Sequence, residues 1–188
     1  MLNTKYVVQK GQDGKYMVQK NPGALGNAWL VDEILWVNNA REEIDTLTNF
    51  DPFKTAVADI RFKEKLNGFS GGRDSTSSIV LKSYQPNDLV YESNSSTPGM
   101  AVFSEIFYDD GKGWQAYLDG NKVTHARVNY ILRGMVLPAG KHSIEFKFEP
   151  WAYYTGEKIS LGMSLLLIVS LFGIGFVEFR KTKKSEND

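Results

Sequence analysis

The sequence predicts a mainly β fold: a β-sandwich extracytoplasmic domain with one or two short helices, followed by one C-terminal transmembrane helix. Three observations carry this reading. From Ser78 onward the chain is a series of short apolar or alternating runs separated by turn residues. Before that, helical spacing shows clearly at one place, around Ala40, Ile44 and Leu47. Near the end, residues 159–177 carry no charged side chain.

Taken in order, residues 5–8 and 15–19 read as a hairpin around Gly11 to Gly14. Residues 27–31 and 34–37 read as strands. Residues 38–47 read as a short amphipathic helix capped by Asn38 or Asn39, with Ala40, Ile44 and Leu47 inward and Arg41, Glu42, Glu43 and Asp45 filling the rest. Asp51 and Pro52 open another turn of helix, residues 55–59 are β-prone, and residues 61–66 fit helix or coil equally. The Gly/Ser-rich stretch 67–77 reads as a flexible surface turn. It lacks the Gly-Lys-Ser/Thr of a phosphate loop.

Residues 79–84 and 89–93 flank a Gln85-Pro86-Asn87-Asp88 turn, and the dense apolar run 100–108 suits a central strand buried on both faces. Residues 113–118 and 122–128 flank Asp119-Gly120-Asn121, a strong hairpin signal. Residues 130–137 and 143–149 complete the set, the last with Ile144, Phe146 and Phe148 alternating against Glu145, Lys147 and Glu149. The expected organisation is an α+β part over 1–77, a sandwich core over 78–150, an aromatic juxtamembrane segment over 151–158, a span over 159–179 and a basic tail over 180–188.

The span sets the topology expected. At ~1.5 Å per residue, residues 159–177 make a helix ~28 Å long, close to the ~30 Å hydrocarbon core. Trp151, Tyr153 and Tyr154 precede it as an interfacial belt; Arg180, Lys181, Lys183 and Lys184 follow it. The positive-inside rule puts the C-terminus in the cytoplasm and residues 1–158 outside. The N-terminal residues offer no apolar stretch and no cleavage site to start export. The economical reading is a fragment, with preceding transmembrane helices of a parent protein delivering the domain. The competing reading, a tail-anchored protein with its domain in the cytoplasm, sets four basic residues on the wrong side.

Composition excludes several classes of chemistry. With 22 basic and 22 acidic residues the formal charge is zero, which argues against nucleic acid as a partner. Without cysteine there is no disulfide, thiolate metal site or cysteine nucleophile. Glu105, Asp109 and Asp110 are the nearest thing to paired carboxylates, yet Asp109-Asp110-Gly111 reads more simply as a loop. His125 reads as a solvated or hydrogen-bonded residue in mid-strand and His142 as a turn residue, so no metal and no cofactor is expected. The candidate binding surface is for carbohydrate: Trp114, Tyr117, Asn129, Tyr130 and Arg133 offer stacking faces and planar polar groups if their strands are neighbours. Trp114 and Tyr130 have a competing reading as core anchors, and Tyr117, Asn129 and Arg133 are the residues expected at the surface.

Three stretches resemble the C-terminal region of the YfhO-like family of bacterial membrane proteins. They are NPGALGNAWLV at 21–31, SYQPNDLVYESNS running into GMAVFSEIFYDDGKGWQAYLDGNKV, and ARVNYILRGMVLPAGKHSIEFKFEP followed by WAYYTGEKISLGMSLLL. The resemblance implies a polytopic parent, similar to GT-C-type glycosyltransferases, that glycosylates envelope polymers from a lipid-linked sugar. It implies a place in the bacterial cytoplasmic membrane, with the bilayer, preceding helices and an envelope glycan or lipid-linked sugar as partners. The catalytic acid of such enzymes has no counterpart in this sequence, so no catalytic residue is assigned and this piece is expected to be non-catalytic. The alternative is an autonomous single-pass envelope protein that binds or supports. A glycosidase in its own right is the least supported reading.

Overall fold

The computed structural model describes residues 1–69, 71–108 and 113–185, with side chains described through Phe176. Asp109, Asp110 and the side chains of Arg180 and Lys181 lie outside the described residues. The chain divides into two compact units, Met1–Glu149 and Pro150–Asp188. The fold is mainly β, with short helical pieces and one long apolar C-terminal helix, as the alternating pattern predicts.

The first unit opens with a hairpin, β1 (Tyr6–Lys10) and β2 (Tyr16–Lys20), whose strands form a two-stranded sheet of their own among the described residues. β3 (Ala28–Val31) and β4 (Glu33–Val37) follow closely in sequence but enter different sheets. α1 (Ala40–Thr46) starts where the sequence places a cap. The Asn39 side chain accepts from the N–H groups of Arg41 and Glu42, satisfying donors that the first turn leaves without helical partners. Glu42 reaches back to the Asn38 N–H at 3.0 Å, completing the N-terminal knot. The helix departs from its apolar stripe, however. Ile44 is 43% exposed and the residue it buries completely is Glu43.

β5 (Thr55–Asp59) lies parallel to β4. A 3₁₀ turn (Ile60–Phe62) then resolves the stretch that the sequence left open. The loop before the next strand is pinned, not loose. Arg73 pairs with Asp32, donates to the Leu30 carbonyl and stacks 3.8 Å over the Phe53 ring centroid. Asp74 accepts from Thr76 and Ser96, whose hydroxyls and amides hold its carboxyl well below the usual range.

The remaining strands are β6 (Ser78–Gln85), β7 (Asp88–Ser95), β8 (Gly99–Ile106), β9 (Trp114–Leu118), β10 (Asn121–Val123), β11 (Ala126–Val128), β12 (Leu132–Leu137) and β13 (Gly140–Phe148). They form a five-stranded sheet in the order β10-β9-β13-β7-β6 and, with β3, a four-stranded sheet in the order β11-β12-β8-β3. One core lies between these sheets, built on Leu30, Leu89, Tyr91, Phe103, Ile144 and Phe146. A second core covers the other face of the four-stranded sheet, where Trp29, Met100, Val102 and Val128 meet Ala56, Ala58 and Leu66. The four-stranded sheet is therefore the middle layer, and β8 is buried on both faces as its unbroken apolar run requires.

Two expected strands are corrected. Residues 122–128 do not make one strand: pairing to β9 ends at Val123, and the chain crosses to the other sheet before Ala126. His125, read as a solvated or hydrogen-bonded residue in mid-strand, sits instead at that crossing, fully buried between the rings of Phe107 and Phe146, so the solvated alternative is the one overturned. Tyr130 does not open β12 but stands in the turn before it.

The second unit is dominated by α2 (Trp151–Ser185), an unbroken helix. Its stretch from Trp151 to Phe176 is long and apolar enough to cross a membrane. At ~1.5 Å per residue these 26 residues span ~39 Å. Ser164 and Ser170 return their hydroxyls to the carbonyls of Ser160 and Leu166, at 2.9 and 2.8 Å, so neither polar group is left to an apolar surround. Trp151, Tyr153 and Tyr154 occupy its first turns.

The middle layer is tightest at Gly134, where an added Cβ would lie 2.5 Å from Met100 Cε and 2.8 Å from Val128 Cγ1. Met100 can bend away, but β-branched Val128 cannot. Gly134→Ala is expected to destabilise the fold by about 1–3 kcal/mol through overpacking, read as a lowered urea midpoint of the full chain in detergent.

Candidate functional site

The five candidate carbohydrate residues divide into three separate places. Trp114 begins β9 and turns between the sheets, its ring 5.5 Å from that of Phe148. Arg133 joins it there. Expected at the surface, Arg133 is 2% exposed, with its guanidinium 4.3 Å from the Trp114 ring centroid and 5.0 Å from that of Phe146. A planar, weakly hydrated guanidinium can fill an aromatic slot that an ammonium could not. Its Nε donates to the Ile106 carbonyl at 3.0 Å. Burial pulls the Arg133 pKa down to about 10, and the charge of Glu105 works against that shift. Glu105 in turn is pushed up by burial and drawn back by Arg133.

Asn129, also expected to be exposed, is 1% exposed. It behaves as a piece of strand: its N–H donates to the Val57 carbonyl at 2.7 Å, and its Oδ1 accepts from the Val57 N–H at 2.8 Å. Asn129 and Tyr130 both have positive φ, 48° and 71°, and the Ile131 N–H closes a γ-turn onto the Asn129 carbonyl at 2.9 Å. A γ-turn with positive φ is uncommon and strained for a residue with a large side chain. Glu43 holds it. One carboxylate oxygen accepts from the Tyr130 N–H at 2.8 Å and the other pairs with Arg127 at 2.6 Å. Burial raises the Glu43 pKa, and the Tyr130 amide and Arg127 oppose it. Sequence periodicity reads Glu43 as one of the charges on the solvent side of α1. The partner that buries it comes from 84 residues away, and no local pattern encodes that.

Tyr117 alone is on the outer face of the five-stranded sheet. It stands opposite Glu145 of β13 and Lys122 of β10, donates its hydroxyl to Glu149 at 2.7 Å and lies under the Lys147 ammonium, 5.3 Å from the ring centroid. Further across the same face a shallow groove of about 520 Å³ runs over β6, β7 and β13. Val80 floors part of it; Lys82, Glu92, Asn94, Lys141 and Ser143 supply donors and acceptors. Lys82 and Glu92 are paired at 2.9 Å. The strand alternation of β6 and β7 could have marked these outward positions, because period two puts Glu92 and Asn94 opposite the core-facing Tyr91 and Ser93. Glu92 and Asn94 are polar rather than aromatic, so a pattern of stacking rings does not include them. Among the described residues, no three His, Asp or Glu side chains converge where a cation could sit.

Residues 72–160 match the family model of the bacterial membrane protein YfhO. That segment is YfhO-like. It contains β6 to β13 and runs into the first turns of α2, so Tyr117, Asn129, Tyr130, Arg133, Trp114 and the whole groove lie within it. Of the three stretches that carried the resemblance, 21–31 precedes it. Nothing among curated proteins or solved structures matches the chain.

Within the YfhO-like segment, one end of the groove is fixed by His142 and Asp119. His142 Nδ1 lies 2.6 Å from Asp119 Oδ2 and Nε2 lies 3.1 Å from the Ala139 carbonyl, and both nitrogens donate only as imidazolium. The Asp119 hydrogen bond accordingly raises the His142 pKa, and the His142 bond lowers that of Asp119. The His142 contribution is complete below its unfolded pKa of about 6.5 and is lost as pH rises through the raised folded value. The Asp119 contribution is complete above about 3.9 and is lost as pH falls through the lowered value. The urea midpoint of the native chain is expected to exceed that of His142→Ala most between those limits. The gap should narrow as pH rises through the raised His142 value and the imidazole loses its second proton.

Proposed function

We propose that this chain is a non-catalytic extracytoplasmic module and membrane anchor of a polytopic YfhO-like protein that glycosylates cell-envelope polymers from a lipid-linked sugar. In this reading the outer face of the five-stranded sheet holds the glycan. The observation that carries the proposal is the 72–160 match itself, because it joins the groove-bearing sheet and the start of a membrane-competent helix in one segment resembling a bacterial membrane protein. The chemistry of the face agrees. Sugars are held by planar polar groups that fix hydroxyls and by an aromatic face beneath the ring, and the groove brings Asn94, Glu92 and Lys141 to the sheet that displays Tyr117. Glu92 is engaged by Lys82 and Glu105 faces Arg133, so these carboxylates serve positioning better than acid–base chemistry. The basic residues after the span, Arg180, Lys181, Lys183 and Lys184, favour a cytoplasmic C-terminus.

The native chain has no cysteine, so single-cysteine labelling tests sidedness cleanly. In intact cells a membrane-impermeant maleimide is expected to label Asn121→Cys and to spare Lys183→Cys; the reverse pattern refutes an external domain. On an array of bacterial glycans, the full chain in nanodiscs is expected to bind at least one envelope polymer, and Tyr117→Ala to weaken that binding about tenfold, the loss of one stacked ring. Absence of binding to every glycan would remove the acceptor-holding role.

A further inference from the structure

The β1–β2 hairpin stands apart from the sandwich in its chemistry. Every residue of both strands is exposed. A lone two-stranded hairpin is marginal in water, so one this exposed gains from a surface that covers it. The register sorts its side chains. One face carries Tyr6, Val8 and Lys10 opposite Lys20, Val18 and Tyr16, so that a Val–Val pair is flanked by two Tyr–Lys pairs. Tyr6, Val8, Tyr16 and Val18 are between 60% and 72% exposed. The other face offers Met17, 53% exposed, and Val7 beside two glutamines.

Charge singles out the segment as well. Residues 5–20 hold four lysines against one aspartate, a local excess of three positive charges in a chain whose formal charge is zero. Asp13 is spent on the turn, accepting from the Lys15 N–H. Tyrosine beside valine and lysine is the composition of a bilayer interface. The ring sits at headgroup depth, the aliphatic stem of lysine lies along apolar surface, and the ammonium reaches the phosphates.

We propose that the β1–β2 hairpin docks on the anionic phospholipid headgroups of the bilayer that α2 crosses, with its Tyr6/Val8/Tyr16/Val18 face toward the lipid and Lys10 and Lys20 on the phosphates. This rests on the reading of α2 as a span, and that anchor makes the encounter intramolecular, so a weak patch suffices. The hairpin thereby gives the domain a second membrane contact, one that responds to lipid charge.

The test uses the full chain in nanodiscs with an environment-sensitive fluorophore on Val18→Cys, or on Val8→Cys as an independent site. Discs are made of phosphatidylcholine alone or with phosphatidylglycerol added, each with and without a nitroxide-labelled lipid. Nitroxide quenching is expected to be at least about twofold stronger with phosphatidylglycerol, and to fall back on raising the salt or in Lys10→Glu/Lys20→Glu. A label on Leu167→Cys, deep in α2, reads the anchor separately. Quenching at 167 with none at 18 overturns the docking alone, whereas no quenching at 167 overturns the span. Identical signals at 18 in both lipids, a signal that requires two copies per disc, or one that appears only with soluble anionic wall polymer would each reject a lipid surface as the occupant.

Discussion

The middle layer is the constraint on which the rest of the first unit depends. β8 sends Met100 and Val102 into one core and Ala101 and Phe103 into the other, and all four are fully buried. Because its two faces belong to two cores, neither the five-stranded sheet nor the β4–β5 layer can close without it. The same doubling fixes register. A slip of one residue on β8 would exchange Met100 and Val102 for the smaller Ala101 and the larger Phe103 in both cores at once. Gly134 shows how little room is left beside it.

The polar groups buried at the edges of this layer stand where apolar packing alone would leave the backbone unpaired. Asn129 substitutes for a strand against Val57, Glu43 accepts the amide of a strained turn, and Arg133 closes the sandwich between two rings. Each reads as a surface residue in the sequence, and each is structural. The outer face of the five-stranded sheet, by contrast, keeps polar side chains such as Lys82 and Glu92 in solvent.

Much of the fold was legible from local pattern. The cap at Asn39, the β-prone run 55–59 and the alternation of 143–149 correspond to α1, β5 and β13, because each is decided within a few residues by hydrogen-bonding chemistry, by strand propensity or by period two. What failed was decided at a distance. The run 122–128 looks continuous, but the sheet switch at His125 depends on Phe107 and Phe146 converging there. The helix stripe of Ala40, Ile44 and Leu47 is sound arithmetic, yet Arg127 overrides it by drawing Glu43 inward. Two of the candidate site residues follow the same rule: Asn129 and Arg133, expected at the surface, are buried. The side chains of Asn129 and Arg133 suit sugar hydroxyls, but they are equally suited to holding a turn and filling an aromatic slot.

The long reach of these contacts has a consequence for how the chain acquires its shape. β3 waits for β8, which lies some seventy residues later, Val57 waits for Asn129, and Glu43 waits for Arg127. Closing loops of that length costs entropy before any contact repays it, which slows folding and makes it cooperative. A nascent chain ending before β12 holds half-finished sheets with open edges. The ordered state thus arrives late and nearly all at once, and until then the polypeptide keeps the pliability of an unfolded chain.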